Sequence, residues 1–251
     1  MKASIVLSAS ASKRLIAKGV AAHPIVKKAR ADGTVIVTLG TTNGYVATEL
    51  MGDAVDQGAF AAGVIDDRWN VNARLGEATD LVLAGEKMLP FDEKTVLGAL
   101  GAGDVIVKGG NALDPFGTVG VLLAASTGGT IGRYVPTALA RGVDIVIPIS
   151  ISKSVHGSVA TLAMDMGSRK LDLAMGLPCG MYPLTGNIVT ELEALELLFD
   201  VCALHVASNG IGAGCGSVSI LLQGEEDSVK EAFAACESLN ALPEIPVQGR
   251  P

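Results

Sequence analysis

Three short runs rich in Val and Ile, Thr34–Leu39, Asp104–Val107 and Val143–Ile149, most constrain what this chain can fold into. None alternates apolar with polar residues, so each reads as a strand buried on both faces. Each also runs into a polar or glycine-bearing turn, and helical stretches lie between them. That order predicts an α/β fold: an open, mainly parallel sheet with helices on both faces. With 251 residues, 49% hydrophobic and 18% charged, the chain can bury a core of that size.

Lys13–Arg30 is expected to be a helix that Pro24 kinks or interrupts. Further helices are expected at Tyr45–Met51, Glu93–Leu100, Tyr134–Arg141 (with Pro136 in its first turn) and Val155–Met166. Ala3–Leu7, Phe60–Ile65, Leu81–Ala84 and Val119–Leu123 read as strands, and Lys170–Thr185 as irregular. After that come a helix at Glu191–Val201, strands at Ala203–Ala207 and Ser217–Gln223, a helix at Asp227–Leu239 and a loose tail from Pro243. We therefore expect an α/β domain over 1–185 and a small C-terminal α+β layer over 186–251, packed on or beside it.

Net charge is −7, Lys and Arg are scattered, and aromatic residues are 4% of the chain. This argues against a nucleic-acid partner. Pro115–Gly132, Leu173–Thr190 and Val201–Gly224 carry no charged residue, but Gly, Pro, Ser, Asn or Thr break each one. They read as buried strands and loops rather than membrane spans. With too little apolar sequence in Met1–Ser12 for a secretory signal, we expect a cytoplasmic protein, without a membrane partner, that forms a homo-oligomer. Cys179, Cys202, Cys215 and Cys236 show no Cys-x-x-Cys pair and no adjacent His, so no metal site is expected. They read as small buried hydrophobes, with Cys215 set apart in Gly-Ala-Gly-Cys-Gly as either a loop residue or an activated thiol.

The turns carry the chemistry. Gly40, Thr41, Thr42, Asn43 and Gly44 join a strand directly to a helix, so they either bind an anion on unpaired N–H groups or simply cap the helix. Lys108, Gly109, Gly110, Asn111 and Asp114 follow the next strand, and Lys153 and His156 follow the third. Parallel sheets bind ligands at that rim, where Lys108 could pair an anion or reach solvent. Arg133, after a glycine-rich segment, is a further anion ligand or a packing residue.

TVIVTLGTTNGYVATEL (34–50) resembles the first phosphate loop of the ribose-5-phosphate isomerase, glucosamine-6-phosphate deaminase and CoA-transferase-like fold. DVIVKGGNALD (104–114) is similar to the second turn of the isomerases, and GVLLAASTGG and ARGVDIVIPISISKSV are similar to the segments that follow. The resemblance covers Gly33–Val155 and implies a phosphate- or carboxylate-binding α/β protein. It departs from the family where catalysis would sit. Lys108 and Asn111 stand where the isomerases carry acids, and Lys94–Thr190 contains no Glu for a base or nucleophile. The expectation is a binder of a small anionic metabolite, as an isomerase- or transferase-like enzyme of unassigned reaction. The alternative is a catalytically silent sensor or assembly subunit. Neither catalytic residues nor a cofactor can be assigned from the sequence.

Overall fold

The structure, a computed structural model, describes residues 1–52, 55–65, 70–74 and 77–246. The chain opens with β1 (Lys2–Leu7), α1 (Ala9–Ala22), α2 (Pro24–Asp32), β2 (Thr34–Val37) and α3 (Thr41–Met51). Next come β3 (Ala62–Ile65), β4 (Asn70–Arg74), β5 (Leu81–Ala84), β6 (Lys87–Leu89), α4 (Glu93–Ala99), β7 (Val105–Val107), β8 (Ala112–Leu113) and β9 (Val119–Leu123). Then follow α5 (Gly129–Arg141), β10 (Asp144–Pro148), α6 (Val159–Asp165), β11 (Gly180–Leu184) and β12 (Asn187–Val189). The chain closes with α7 (Glu191–Phe199), β13 (Cys202–Ser208), β14 (Val218–Gln223) and α8 (Glu226–Asn240).

The three β-branched runs form the centre of a six-stranded sheet in the order β12-β10-β7-β2-β5-β6. β2 pairs with β7 and β7 with β10, both parallel, with Ile36 opposite Ile106 and Ile106 opposite Ile145. The β5–β6 hairpin extends the sheet antiparallel to β2. Alternate residues of the central strands go to opposite faces. Val35, Val37, Val105, Val107 and Val146 join Leu15, Ile16, Val26, Val46 and Leu195 of α1, α2, α3 and α7. Ile36, Ile106, Ile145 and Ile147 join Val96, Ile131, Tyr134 and Ala138 from α4 and α5, together with Val119, Val121 and Leu184. The sheet is thus covered by helices on both faces, as buried parallel strands require.

The boundary at 185/186 does not separate two layers. β12 pairs parallel with β10 in the main sheet, although it follows that boundary. β1, from the other end of the chain, is the antiparallel partner of β14, and β13 completes that small sheet. Its inward residues Ile5, Leu7, Ile220 and Leu222, covered by Val229, Ala232 and Leu239 of α8, belong to the same core as the α1 face of the main sheet. β1 alone would leave its ladder groups unpaired, and the C-terminal hairpin supplies the partner.

Several element limits differ from the sequence expectation. The first helix is two: Pro24 stands at the first position of α2, where its missing N–H costs nothing. α3 begins at Thr41 rather than Tyr45, and α5 at Gly129 rather than Tyr134, so Pro136 lies inside α5 and not in its first turn. Phe60 ends a 3-10 turn, Gln57–Phe60, ahead of β3. The expected irregular stretch before Thr185 contains β11, paired antiparallel with β9. Val155 lies ahead of α6, whose first turn is capped by Ser158. Cys179 and Cys236 are buried, but Cys202 and Cys215 are exposed, which corrects the reading of Cys202 as a core residue. Among the described residues no helix is long and apolar enough to cross a membrane.

Candidate functional site

Because β2, β7 and β10 are parallel, the segments that leave them emerge side by side. Thr38–Gly40 leads into α3, Lys108–Asn111 follows β7, and a 3-10 turn, Ile151–Lys153, follows β10. With the N-terminus of α5 these segments wall an open cavity of about 350 Å³. Gly40, Thr41, Thr42, Asn43, Lys108, Gly109, Gly110, Asn111 and Lys153 all line it.

Two helix N-termini open onto this cavity. Gly40 caps α3 with φ at 155°, a conformation that favours glycine, and no side chain caps the helix. The first intrahelical bond there is Gly44 N–H to Gly40 O at 2.9 Å, so the N–H groups of Thr41, Thr42 and Asn43 precede the ladder. Gly128 caps α5 with φ at 80°, again without a side-chain cap, and Gly129, Thr130 and Ile131 line the cavity. Neither first turn contains an acidic residue. Both helix dipoles therefore present uncompensated positive ends to one space.

Asn43 holds this arrangement together. Its Nδ2 donates to Thr38 O at 2.8 Å and to Val107 O at 3.3 Å, tying α3 to the ends of β2 and β7. Two carbonyl acceptors on Nδ2 fix which way the amide faces. Its Oδ1 is buried without a hydrogen-bond partner.

The charged groups are unevenly matched. Lys108 Nζ donates to Gly109 O at 2.9 Å and Lys153 Nζ to Gly110 O at 2.7 Å. Burial lowers the Lys108 amine to about 8, with the Asp80 charge working against that shift. Burial also brings Lys153 to about 8, helped by the Lys13 and Lys108 charges and opposed by Glu191. Asp80, 5% exposed, is the one carboxylate among the described residues that line the cavity. Both of its oxygens are engaged. Oδ1 accepts from Leu39 N–H at 3.0 Å, and Oδ2 from Tyr134 Oη at 2.7 Å and Arg133 Nη1 at 3.0 Å. Burial, followed by the Asp80 charge, raises the Tyr134 phenol above its ordinary value. Arg133 is also paired with Glu93 at 3.1 Å and lies over the Phe91 ring. Lys108 and Lys153 are thus the cations of the cavity whose hydrogen bonds go to neutral backbone oxygens.

Two residues expected at the site are not part of its wall. Gly44 sits within α3 against the Gln57–Phe60 turn, because the helix starts earlier than its composition suggests. Asp114 is buried and organises its own loop, accepting from Phe116 N–H at 3.0 Å, Thr118 N–H at 2.8 Å and Val159 N–H at 3.0 Å. Burial alone would raise its carboxyl, but these three donors outweigh that and hold it below the usual range. Asn111 lines the cavity and also braces it, with Oδ1 accepting from Leu122 N–H at 3.1 Å. His156 is exposed and does not line the cavity, and Cys215 is exposed in the hairpin between β13 and β14. Sequence reasoning missed Asp80 and the N-terminus of α5. The glycines at 128 and 129 signalled the second. Nothing in the sequence joins Asp80 to Arg133, 53 residues later.

No group of three or more His, Cys, Asp or Glu among the described residues could hold a metal ion. Comparison of the chain with models of known protein families, with curated proteins and with solved structures gave no match.

Proposed function

We propose that the cavity binds a small phosphorylated or carboxylated metabolite. One observation carries this reading: two uncapped helix N-termini and two lysines converge on a single space in a chain of net charge −7. In a partly desolvated cavity each such contact is stronger than on the surface, and a charged hydrogen bond contributes about 1.5–3 kcal/mol. The resemblance of Gly33–Val155 to the ribose-5-phosphate isomerase, glucosamine-6-phosphate deaminase and CoA-transferase-like fold supports the same ligand class. An isomerase- or transferase-like enzyme of that fold needs a carboxylate base or nucleophile. Here the lining carboxylate, Asp80, is committed to Arg133, Tyr134 and Leu39. That commitment favours an alternative, a metabolite sensor or assembly subunit of the same fold. Leu204 and Val206, exposed on the uncharged strand β13, support a homo-oligomer, and we place the protein in the cytoplasm.

Thermal-shift titrations with inorganic phosphate, sugar phosphates, acyl-CoAs and small carboxylates test the reading. A ligand at 100 times its Kd stabilises the fold by about 2.7 kcal/mol. At least one anion should raise the melting temperature in a saturable way. A flat response to all of them would refute the proposal. Turnover of a shifting ligand separates the enzyme from the sensor.

A further inference from the structure

We propose that Lys153 is a nucleophile that condenses with the carbonyl of the bound anion, an aldehyde or ketone carrying a phosphate or carboxylate, to form an imine, with Lys108 as proton donor. This rests on the anion-binding reading and adds to it a substrate class and an amine chemistry that needs no carboxylate base.

The two amines share one cavity wall but face different charges. Lys108, leaving β7, has the Asp80 carboxylate as its charged influence, which works against the lowering that burial causes. Lys153, in the turn after β10, faces the Lys13 ammonium from α1 and the Lys108 ammonium. Glu191 at the start of α7 is its opposing charge. That carboxylate is buried and bound at both oxygens, to Ser150 Oγ at 2.5 Å and Ile151 N–H at 2.9 Å. Lys153 is thus the amine set beside like charges, and Lys108 the one under a carboxylate's influence. A lysine desolvated beside another cation is an established route to a neutral, nucleophilic amine near neutral pH.

The two helix N-termini would hold the phosphate or carboxylate, with the Lys108 ammonium between that group and the carbonyl, which lies toward Lys153. In the first step the Lys153 lone pair forms the N–C bond. The carbonyl π pair moves to oxygen, which takes a proton from the Lys108 ammonium. The new ammonium nitrogen then returns a proton to Lys108, giving a carbinolamine. Loss of its hydroxyl, carrying a second proton from Lys108, releases one water and leaves the protonated imine. Lys108 ends as the free amine and recovers its proton from solvent. The net change is amine plus carbonyl plus one proton to iminium plus water, with no oxidation or reduction.

Reductive trapping tests this with glycolaldehyde phosphate and sodium borohydride on the unaltered protein, read by peptide mass mapping. A free lysine titrates near 10.5 and Lys153 near 8, so Lys153 should be labelled at least about tenfold faster than the exposed lysines at pH 7.5. Inorganic phosphate should slow that labelling. Lys153→Arg should lose the adduct, and Lys108→Gln should slow its formation on Lys153. Even labelling across the lysines, labelling indifferent to phosphate, or an adduct on Lys108 in place of Lys153 would overturn the proposal. A melting-temperature rise with inorganic phosphate, measured alongside, separates the two readings. A rise without a Lys153 adduct overturns the imine and leaves the anion site standing. The absence of both overturns both.

Discussion

Replacing Asp80 by Asn should weaken the fold and tighten anion binding at the same time. Asp80 accepts from Leu39 N–H on one oxygen and from Tyr134 Oη and Arg133 on the other. Asn offers one oxygen and one NH₂ group. If its oxygen serves Tyr134 and Arg133, the NH₂ meets the Leu39 N–H; if it is turned round, the NH₂ meets the Arg133 guanidinium. Either way two donors face each other at a site 5% exposed. A buried hydrogen bond to a charged group is worth about 1.5–3 kcal/mol. Arg133 keeps Glu93 as a partner, so the full cost of stranding a buried charge does not apply. The expected loss is about 2–3 kcal/mol in urea unfolding. The same substitution removes the negative charge of the cavity wall. At about 8 Å and an effective dielectric constant near 40 this favours a bound anion by about 1 kcal/mol, or about fivefold in Kd. Asp80 also opposes the lowering of the Lys108 amine, so calorimetric titration with inorganic phosphate measures the change at a pH well below 8, where that amine stays charged without it, and at a temperature where the variant is fully folded. A folded variant that binds phosphate more weakly would refute the reasoning, since Asp80 would then be supporting the ligand instead of opposing it.

Three further outcomes follow from the same geometry. A Cβ at Gly44 would lie 2.8 Å from Gln57 O and 3.1 Å from Phe60 Cβ. Gly44→Ala should therefore cost about 1–3 kcal/mol in thermal unfolding despite a helix-propensity gain of about 1 kcal/mol, and a net stabilisation would contradict this packing. Lys108 and Lys153 titrate near 8 folded against 10.5 for a free lysine, so the unfolded chain holds more protons between those values. Resistance to urea should rise from about pH 7.5 to about 10, less steeply above 9, where the unfolded thiol of Cys236 ionises against a folded value pushed up to about 12, and should fall only beyond the unfolded lysine value; Lys108→Met with Lys153→Met should flatten the rise. Maleimide should modify Cys215 on the folded protein and reach Cys179 and Cys236 after denaturation alone, as peptide mapping can show.

The central sheet was legible because Thr34–Val37, Val105–Val107 and Asp144–Pro148 are uninterrupted apolar runs, a local property. That they would lie in one sheet as parallel neighbours followed from the helices between them. β12 was not legible: three residues, Asn187–Val189, make a strand through pairing with β10 and not through their own propensity. The starts of α3 and α5 were hidden for a related reason. Gly, Thr and Asn are weak helix formers, yet at a first turn they cost little, and there the packing of Gly44 on the Gln57–Phe60 turn decides. At the site, Gly40–Asn43, Lys108–Asn111 and Lys153 could be placed together because parallel strands deliver their carboxyl ends to one rim. Asp114 misled because an acid in a turn reads the same whether it faces a ligand or its own backbone. The role of Asp80 depends on a partner on α5 that no local pattern announces.

Lys108 is the central cation of the proposed anion site. Calorimetric titration of inorganic phosphate into the unaltered protein and into Lys108→Ala tests this most directly. Lys108 makes its hydrogen bond to a neutral carbonyl, Gly109 O, so its loss should leave folding intact. Phosphate affinity should fall by roughly one to two orders of magnitude, as expected for a charge-assisted contact in a desolvated cavity. Equal affinity in the two proteins, or no phosphate binding by the unaltered one, would contradict it.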